Sequence, residues 1–428
     1  MIGAGQRGHH VYGRYAAEHP ERFRFRAVID PDPTRRDRFI ADHPEAVGFE
    51  SIDQWSAGGA PATEVAVVAS PDRDHHRHAL AALAAGHHVL LEKPMAATLE
   101  EAKAVTGAAT RSDRTLAVSH VLRYTPFFNV LNQVVTSGRL GDIVTVEHRE
   151  NVSAFHMAHS FVRGNWSRAE TSTPMIVQKC CHDFDVLVWN LPSPARRLSS
   201  FGSLLHFTPA AAPPGATARC TDPCPVRDCP FDARRYLNPA WTSWPVHVLT
   251  DDLSPQGRVD ALNHGPYGRC VYHAGSDVVD HQVVAMELAS GASVVLVMHG
   301  HAAEESRTMR YDGTRATLRA RFGRNSSIEV TDHATGAVEQ VPIDAAAGGH
   351  GGGDDGVVAS FLDAVERGVE PMTTAEQSLE SHVLAFAAEA ARQSGTVVDL
   401  DGFRSRPPAD GDDRQQDTED RPGDKEDR

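Results

Sequence analysis

The feature that most constrains this chain is a glycine pattern at its start, followed by alternating strand and helix patterns. Residues 3–8 read Gly-Ala-Gly-Gln-Arg-Gly, which matches G-x-G-x-x-G. Over the first 118 residues, short apolar runs at 64–69 and 88–91 alternate with helical patterns such as 75–85. Parallel strands that are covered on both faces by helices give this alternation. The pattern therefore predicts an α/β domain with a parallel sheet over residues 1–118.

The glycine pattern is typical of a dinucleotide-binding turn. Such glycines permit a tight turn, a close approach of backbone amides to a pyrophosphate, and close packing of helix on strand. Asp30 ends the next strand pattern, 22 residues after Gly8. A carboxylate there binds the adenosine ribose and repels a 2′-phosphate, which favours NAD, whereas Arg35 and Arg36 leave NADP open. The turn predicts these cofactor-binding residues: Gly3, Gly5, Gln6, Arg7, Gly8 and Asp30.

Charge and composition exclude several kinds of partner. The 428 residues contain 42 Lys and Arg against 57 Asp and Glu, a net charge of -15. Binding to nucleic acids or to anionic membranes requires clustered basic residues, and this acidic balance argues against such a surface. No run approaches the roughly 18–20 apolar residues of a membrane span. We expect no nucleic-acid and no membrane partner.

We also predict a disordered acidic tail over 403–428, since residues 410–428 carry nine acidic and four basic side chains.

The compartment is predicted from the start of the chain and from the cysteines. Residues 1–5 show no basic leader, so no secretory signal is expected. Six cysteines in 428 residues are too few for a disulfide scaffold. Both observations favour the cytoplasm.

Extended segments dominate from about residue 120 onward. Runs at 278–289 and 293–299 flank a turn at 290–291, and runs at 307–311 and 315–320 flank Asp312 and Gly313. Asp-Gly between apolar runs is a strong hairpin signal. These patterns predict a second domain over residues 119–398 with a largely antiparallel sheet.

Several short motifs together resemble the glucose–fructose oxidoreductase/inositol dehydrogenase (Gfo/Idh/MocA) family. The motifs are Gly3-Ala4-Gly5, Ser70-Pro71-Asp72 with His75, Gly86-His87-His88-Val89, Glu92-Lys93-Pro94, Arg123-Tyr124, residues 137–141, and Cys181-His182-Asp183 with Asp185. The resemblance implies an N-terminal Rossmann domain and a C-terminal α/β domain with an open, mostly antiparallel sheet. It also implies a nicotinamide cofactor between the domains, and homodimers or homotetramers formed through the open sheet. The cofactor-binding residues that it adds are Ser70, Pro71, His75, Glu92 and Lys93.

The implied activity is hydride transfer between NAD(P) and a secondary alcohol or ketone of a sugar, cyclitol or related polyol. Loss of hydride from a carbinol carbon also requires loss of the hydroxyl proton, so a base must lie beside the oxygen. The family pattern supplies Lys93 and His182, with a carboxylate four residues before the histidine. Gln178 stands there and cannot accept a proton. Lys179 lies on the same helix face as His182, so we predict Lys93, Lys179 and His182 as the catalytic group.

Substrate contacts are predicted on the same motifs and on a polar, aromatic loop. The loop contains His156, His159, Arg163 and Trp166. Asp185 is one turn beyond His182 and is predicted to orient its ring. The predicted substrate-binding residues are Arg123, Tyr124, Trp166, Gln178 and Asp185.

A proline-rich insert over about 208–272 contains four of the six cysteines. Four thiolates can bind a zinc ion tetrahedrally and so hold together a loop that lacks its own core. A structural zinc is therefore predicted at Cys220, Cys224, Cys229 and Cys270, with free thiols and disulfides as alternatives.

Two other functions remain open at this point. One is a redox-neutral glycosidase that uses tightly held NAD. This alternative is retained because Gln178 replaces the carboxylate of the family pattern. The other is a sensor that binds a dinucleotide without turnover.

Overall fold

The computed structural model describes residues 1–344 and 349–405. Its strands are β1 (Ala27–Ile29), β2 (Val47–Phe49), β3 (Val65–Val68), β4 (His88–Leu91), β5 (Leu116–Val118), β6 (Ile143–Ser153), β7 (Ala195–Ser203), β8 (His281–Leu288), β9 (Ser293–Ala302), β10 (Ser306–Gly313), β11 (Ala316–Phe322), β12 (Ser327–Asp332), β13 (Val338–Gln340) and β14 (Val398–Asp399). Its α-helices are α1 (Arg14–Glu18), α2 (Pro33–Asp42), α3 (Ile52–Ser56), α4 (His75–Ala84), α5 (Leu99–Arg111), α6 (Pro126–Thr136), α7 (Ala154–His156), α8 (Met175–Asn190), α9 (Pro255–His264), α10 (Gly353–Arg367), α11 (Ala375–Ser394) and α12 (Leu400–Arg404).

The first domain is a parallel sheet with helices on its faces, as predicted. Strands β1 and β2 pair in parallel, and so do β3, β4 and β5. Ile2 joins the two groups through single parallel bridges to Ile29 and Val68. The glycine turn therefore follows directly from the middle of the sheet, where the cofactor site of a doubly wound fold lies.

Helix α10, which the sequence assigned to the second domain, packs on the first domain. Its buried Val357 and Phe361 belong to the same core cluster as Met1, Tyr12 and Ala117. A boundary drawn near residue 118 therefore separates segments that pack together. Sequence order could not show this, because α10 returns to the sheet after more than 200 residues.

The second domain is built on one open nine-stranded sheet. The strand order is β13-β12-β11-β10-β6-β9-β8-β7-β14, and the β6–β9 pairing is parallel while the others are antiparallel. Helices α8 and α11 share one core cluster with the buried side chains of the sheet. The predicted hairpin is present as β10 and β11, but Asp312 and Gly313 end β10 rather than forming the turn.

The chain remains folded slightly beyond the predicted start of the tail. Phe403 in α12 is buried, and the guanidinium of Arg404 donates to Glu380 at 2.6 and 3.1 Å. These two residues therefore belong to the second domain. The rest of the predicted tail, 406–428, lies outside the described residues, as does part of the glycine-rich run at 348–353. In the described part of the chain, no helix has the length and apolar character that a membrane span requires.

Candidate active site

The glycine turn is shaped by close contacts on two of its three glycines. A Cβ on Gly3 would lie 2.6 Å from the carbonyl oxygen of Ala69, and Gly3 has a φ of +89°. A Cβ on Gly8 would overlap the carbonyl oxygen of Gly3. A Cβ on Gly5, in contrast, would have no atom within 4 Å. The turn thus packs tightly on the protein side and is open beside Gly5, which fits the approach of a pyrophosphate to the backbone.

Asp30 is fixed at the end of β1 beside this turn. Its Oδ2 accepts from the backbone N–H of Ala4 at 2.8 Å, and its Oδ1 accepts from that of Asp32 at 2.9 Å. Arg36 donates to the carbonyl oxygen of Asp30 at 2.5 Å, and Arg35 lies 3.5 Å from the Asp32 carboxylate. Both arginines therefore have protein partners, while the Asp30 carboxylate lies against the backbone of the glycine turn. These residues fit NAD better than NADP.

The Ser70-Pro71 loop is held next to the turn by histidines. His75 makes hydrogen bonds to the carbonyl oxygens of Pro94, at 2.6 Å, and Ser70, at 2.8 Å. Ser70 Oγ is bonded to His78 at 2.8 Å. Both ring nitrogens of His75 are thus occupied by main-chain oxygens, so His75 positions the loop, and its contact with the cofactor stays a prediction.

Glu92 ties the glycine turn to the lysine motif. Its Oε1 accepts from Arg7 Nε at 2.5 Å and from the Tyr12 hydroxyl at 2.6 Å. Arg7 also donates to Asp354 of α10 at 2.8 Å. Burial would raise the pKa of Glu92, but the guanidinium of Arg7 and the bond from Tyr12 lower it. Glu92 is therefore an anion that positions Arg7 rather than a free ligand for the cofactor.

Lys93, His182 and Gln178 lie together, as the sequence predicted. Lys93 Nζ donates to the main-chain oxygen of Gln178 at 2.9 Å. The side-chain oxygen of Gln178 is buried without a hydrogen-bond partner, and so is Nδ1 of His182. Burial, followed by the positive charge of Lys93, lowers the pKa of His182 well below its usual value. His182 is therefore neutral at neutral pH and can accept a proton.

Asp185 does not orient His182, so this prediction is wrong. Its two oxygens accept from Nε and a terminal nitrogen of Arg123, both at 2.7 Å, and the pair is buried. Arg123 donates further to the carbonyl oxygen of Met372 at 3.1 Å. Neither side chain is free for a substrate. The Arg123–Asp185 pair instead joins α8 to the segment that precedes α11.

Lys179 lies in an ion-pair cluster, which argues against its predicted role in proton transfer. Its Nζ is 3.1 Å from Glu305 and 3.3 Å from the buried Glu150. Burial would lower the pKa of Lys179, but Glu150 and Glu305 raise it. A permanently charged ammonium cannot act as a base. Glu150 also pairs with Arg307 at 2.5 Å, and burial raises the pKa of Glu150 to about 7.

The remaining predicted substrate contacts lie mostly in packing positions. The Tyr124 hydroxyl is bonded to Thr373 Oγ1 at 2.8 Å. Trp166 stacks on Phe161, with ring centroids 5.6 Å apart. His159 is buried and bonded to the Tyr236 hydroxyl at 2.9 Å. His156 alone of the aromatic loop is bonded to the ion-pair cluster, through Glu305 at 3.0 Å.

The four insert cysteines line one cavity, but not as a formed metal site. Cys220 and Cys270 each follow one residue of the antiparallel bridge between Arg219 and Arg269. The N–H of Cys220 donates to the carbonyl oxygen of Gly268, and that of Cys270 donates to the carbonyl oxygen of Ala218, both at 2.9 Å. All four cysteines contact the same cavity, and none is in a disulfide. Within residues 1–344 and 349–405, no three His, Cys, Asp or Glu side chains are arranged to hold a metal ion.

Sequence reasoning missed residues whose roles depend on distant partners. Glu150 comes from β6, Glu305 from the loop between β9 and β10, and Arg307 from β10, and no motif marks them. Trp244 of the insert is also unmarked, although its ring lies 5.5 Å from that of His156. An aromatic residue beside Pro245 was the available signal.

A dinucleotide turn that Glu92 ties to the motif of Lys93, together with a buried histidine near that lysine, defines a nicotinamide-dependent oxidoreductase. Two family models agree. Residues 1–120 match the oxidoreductase family, NAD-binding Rossmann fold, and residues 132–400 match the oxidoreductase family, C-terminal alpha/beta domain. The chain therefore belongs to the Gfo/Idh/MocA oxidoreductase family, which confirms the predicted family and fold class.

Curated relatives extend over different parts of the chain. YteT of Bacillus subtilis (strain 168), named as an oxidoreductase, is 24% identical over 348 residues, which are 76% of this chain and 79% of YteT. Inositol 2-dehydrogenase 1 of Saccharopolyspora erythraea is 30% identical over 200 residues, which are 46% of this chain and 53% of that enzyme. The second match thus spans only about half of each protein.

Solved structures share the fold over nearly the whole chain. The levoglucosan dehydrogenase bound to NADH and L-sorbose has a TM-score of 0.68 and 17% identity, covering 93% of this chain and 97% of the other. An oxidoreductase domain protein from Kribbella flavida has a TM-score of 0.69 and 15% identity over the same shares. At such identities the likeness concerns the fold alone.

Proposed function

We propose that the protein is an NAD-dependent dehydrogenase that oxidises a secondary alcohol of a sugar, cyclitol or related polyol. The contact that carries this proposal is the bond from Lys93 Nζ to the carbonyl oxygen of Gln178, one turn from His182. It holds an amine beside a neutral imidazole at the cofactor domain. The names of the relatives, an inositol dehydrogenase and a levoglucosan dehydrogenase among them, support the substrate class.

In this mechanism Lys93 and His182 have different roles at the reacting hydroxyl of the substrate. Bound NAD supplies the hydride acceptor. Lys93 uses one N–H for Gln178 and has others with which to bind the reacting oxygen and stabilise its developing negative charge. His182, kept neutral by burial, accepts the hydroxyl proton. Gln178, whose side-chain oxygen has no partner in the described structure, is available to a substrate hydroxyl.

NAD is favoured over NADP because the Asp30 carboxylate lies against the glycine turn and Asp32 follows two residues later. Their charge would repel a 2′-phosphate. The partly exposed Arg35 is occupied by Asp32 and Arg36 by the main chain of Asp30. A titration that gave tighter binding of NADP+ than of NAD+ would contradict this assignment.

The test is an assay with NAD+ and a panel of sugars, cyclitols and linear polyols. Growth of the reduced-nicotinamide absorbance band is expected with at least one member of the panel. Release of aglycone without net reduction would favour the glycosidase instead. A Lys93→Ala variant that binds NAD+ normally but forms no NADH would exclude a sensor.

We also propose that the protein is a cytoplasmic homo-oligomer that assembles through the open sheet. The outer face of this sheet carries an apolar stripe, in which Phe201 of β7 pairs with Val283 of β8 and Val283 pairs with Val297 of β9. Phe201 is 69% exposed. An exposed apolar stripe in the middle of a sheet is typical of a protein interface.

A structural zinc in the insert remains a proposal. The cavity that all four cysteines line supports the zinc site. In the described part of the chain, however, no three of these thiols are close enough together to bind one metal ion. Metal analysis of the purified protein tests it. About one zinc per chain, lost in Cys220→Ser, is expected, and a metal-free protein of full stability would contradict the proposal.

A further inference from the structure

The insert contributes an exposed aromatic side chain to the neighbourhood of the site. Trp244 is 43% exposed. Its ring centroid lies 5.9, 5.5 and 5.3 Å from those of Phe155, His156 and His159. The planes of these rings are inclined to the indole by 74° to 87°, so the contacts are edge-to-face. Among the described residues no ring stacks flat on Trp244, which leaves its indole able to receive a flat ligand.

A chain of polar contacts connects Trp244 with Lys93. His156, which touches Trp244, donates to Glu305 at 3.0 Å, and Glu305 accepts from Lys179 at 3.1 Å. Lys179 is adjacent to Gln178, the partner of Lys93. Burial lowers the pKa of His156, and the positive charges of Lys179 and Lys93 contribute to the shift. His156, and with it the ring of Trp244, therefore lies close to the lysines of the site.

The segment that follows Trp244 is anchored in the insert and on the first domain. Val246 is fully buried in the core of the insert. The ring of His247 lies 4.5 Å from that of His10, which belongs to the helical segment after the glycine turn. Asp251 forms an ion pair with Arg38 of α2. The segment thus reaches from the substrate domain to the cofactor domain, so Trp244 is held in place between them rather than on a loose loop.

This combination of groups suits the face of a sugar ring. The axial C–H groups of a pyranose pack on the negative face of an indole, and its hydroxyls bond with charged neighbours. Lys179 and Glu305 supply such neighbours beside His156. His156 and the Glu305–Lys179 pair lie between Trp244 and the helix of His182, so a sugar ring on the indole would adjoin the ring being oxidised rather than occupy the same position.

We propose that Trp244 forms a subsite for a second sugar ring, so that the preferred substrates are glycosides rather than single-ring polyols. This proposal rests on the proposed dehydrogenase function. Trp244 determines specificity here and takes no part in the proton transfer.

The test compares disaccharides and aryl glycosides with their parent monosaccharides, using NADH formation by the holoenzyme. The wild type is expected to show a lower KM for glycosides than for the parent sugars. Trp244→Ala should raise the KM for glycosides about tenfold, the effect of losing about 1.4 kcal/mol of binding. Its KM for monosaccharides and its kcat should stay within about twofold. Trp244→Phe should restore most of the difference, and Trp241→Phe, a change in the same aromatic cluster, should alter none of these values.

The outcomes separate this proposal from the one on which it rests. No NADH from the wild type with any sugar would overturn the dehydrogenase function. Turnover of monosaccharides without any preference for glycosides would overturn the second-ring subsite alone. A glycoside preference that survives in a folded Trp244→Ala variant would overturn it as well, and unchanged thermal unfolding shows that the variant is folded.

Discussion

At the scale of single residues, the site depends on a neutral histidine beside a charged cluster. Lys179 carries its charge permanently because Glu150 and Glu305 surround it, whereas burial keeps His182 uncharged. Two side chains three residues apart on one helix are thus held in opposite states. The helix face could be predicted from the spacing, but the states could not, because they are set by partners more than 25 residues away.

The pH dependence of the reaction follows from the lowered pKa of His182. Because the pKa of His182 lies below the ordinary histidine value of 6.5, its imidazole stays neutral at pH values below 6.5. The acid limb of kcat/KM should therefore lie below pH 6.5. His182→Gln should remove this limb and reduce kcat about 10²-fold or more. Lys179→Gln should leave the limb where it is. A wild-type limb above pH 6.5, or one that moves in the Lys179 variant, would show that another group accepts the proton.

Local motifs, in contrast, were enough to identify the residues that define the cofactor turn. Gly3, Gly5 and Gly8 need only their own backbone and the next strand to act, and Lys93 is fixed by its position before Pro94. Asp185 misled because a helical spacing to His182 was visible, while the buried Arg123 that actually binds it lies 62 positions earlier.

At the scale of elements, α10 comes from the C-terminal part of the chain and contacts the cofactor turn. Asp354 in its first turn binds Arg7, which also holds Glu92. Arg7 is therefore oriented by carboxylates from two directions. No sequence motif shows that α10 packs on the first domain, because an amphipathic helix can pack on either domain.

Removing one of these carboxylates should loosen the cofactor turn. Asp354→Asn is expected to raise the Kd for NAD+ about tenfold, equivalent to about 1.4 kcal/mol, because the partly buried Arg7 loses an ionic partner. Asp363→Asn is the matched control: it lies on the same helix and pairs with Arg22 at the surface. Calorimetric titration gives both constants, and equal constants for the two variants would contradict a role for α10 in cofactor binding.

At the scale of the whole molecule, the open sheet of the second domain has one face against α8 and one exposed face, which we propose as the assembly face. The inner face of β6 places Glu150 against α8, while the outer face of β7 and β8 leaves Phe201 and Val283 exposed. Apolar runs joined by short turns made an antiparallel sheet predictable. The identity of its two faces required the strand order, which places β6 beside β9 rather than beside β7.

Assembly through the outer face can be tested by placing a charge on it. Phe201→Glu is expected to shift the protein to a smaller oligomer in light scattering after size exclusion, because a carboxylate would be desolvated at the interface. Val338→Glu, an equally exposed change on the edge strand β13, should leave the mass unchanged. A wild-type protein that is already monomeric would contradict the proposed interface.

The most direct test of the central claim is to follow the hydride itself. The best substrate of the panel is prepared with deuterium on the carbinol carbon, incubated with the wild type and NAD+, and the reduced cofactor is analysed by mass spectrometry. The account predicts one deuterium on each reduced nicotinamide, and none with Lys93→Ala. Reduced cofactor without deuterium, or substrate conversion that leaves NAD+ unreduced, would contradict direct transfer to the cofactor as the reaction of this protein.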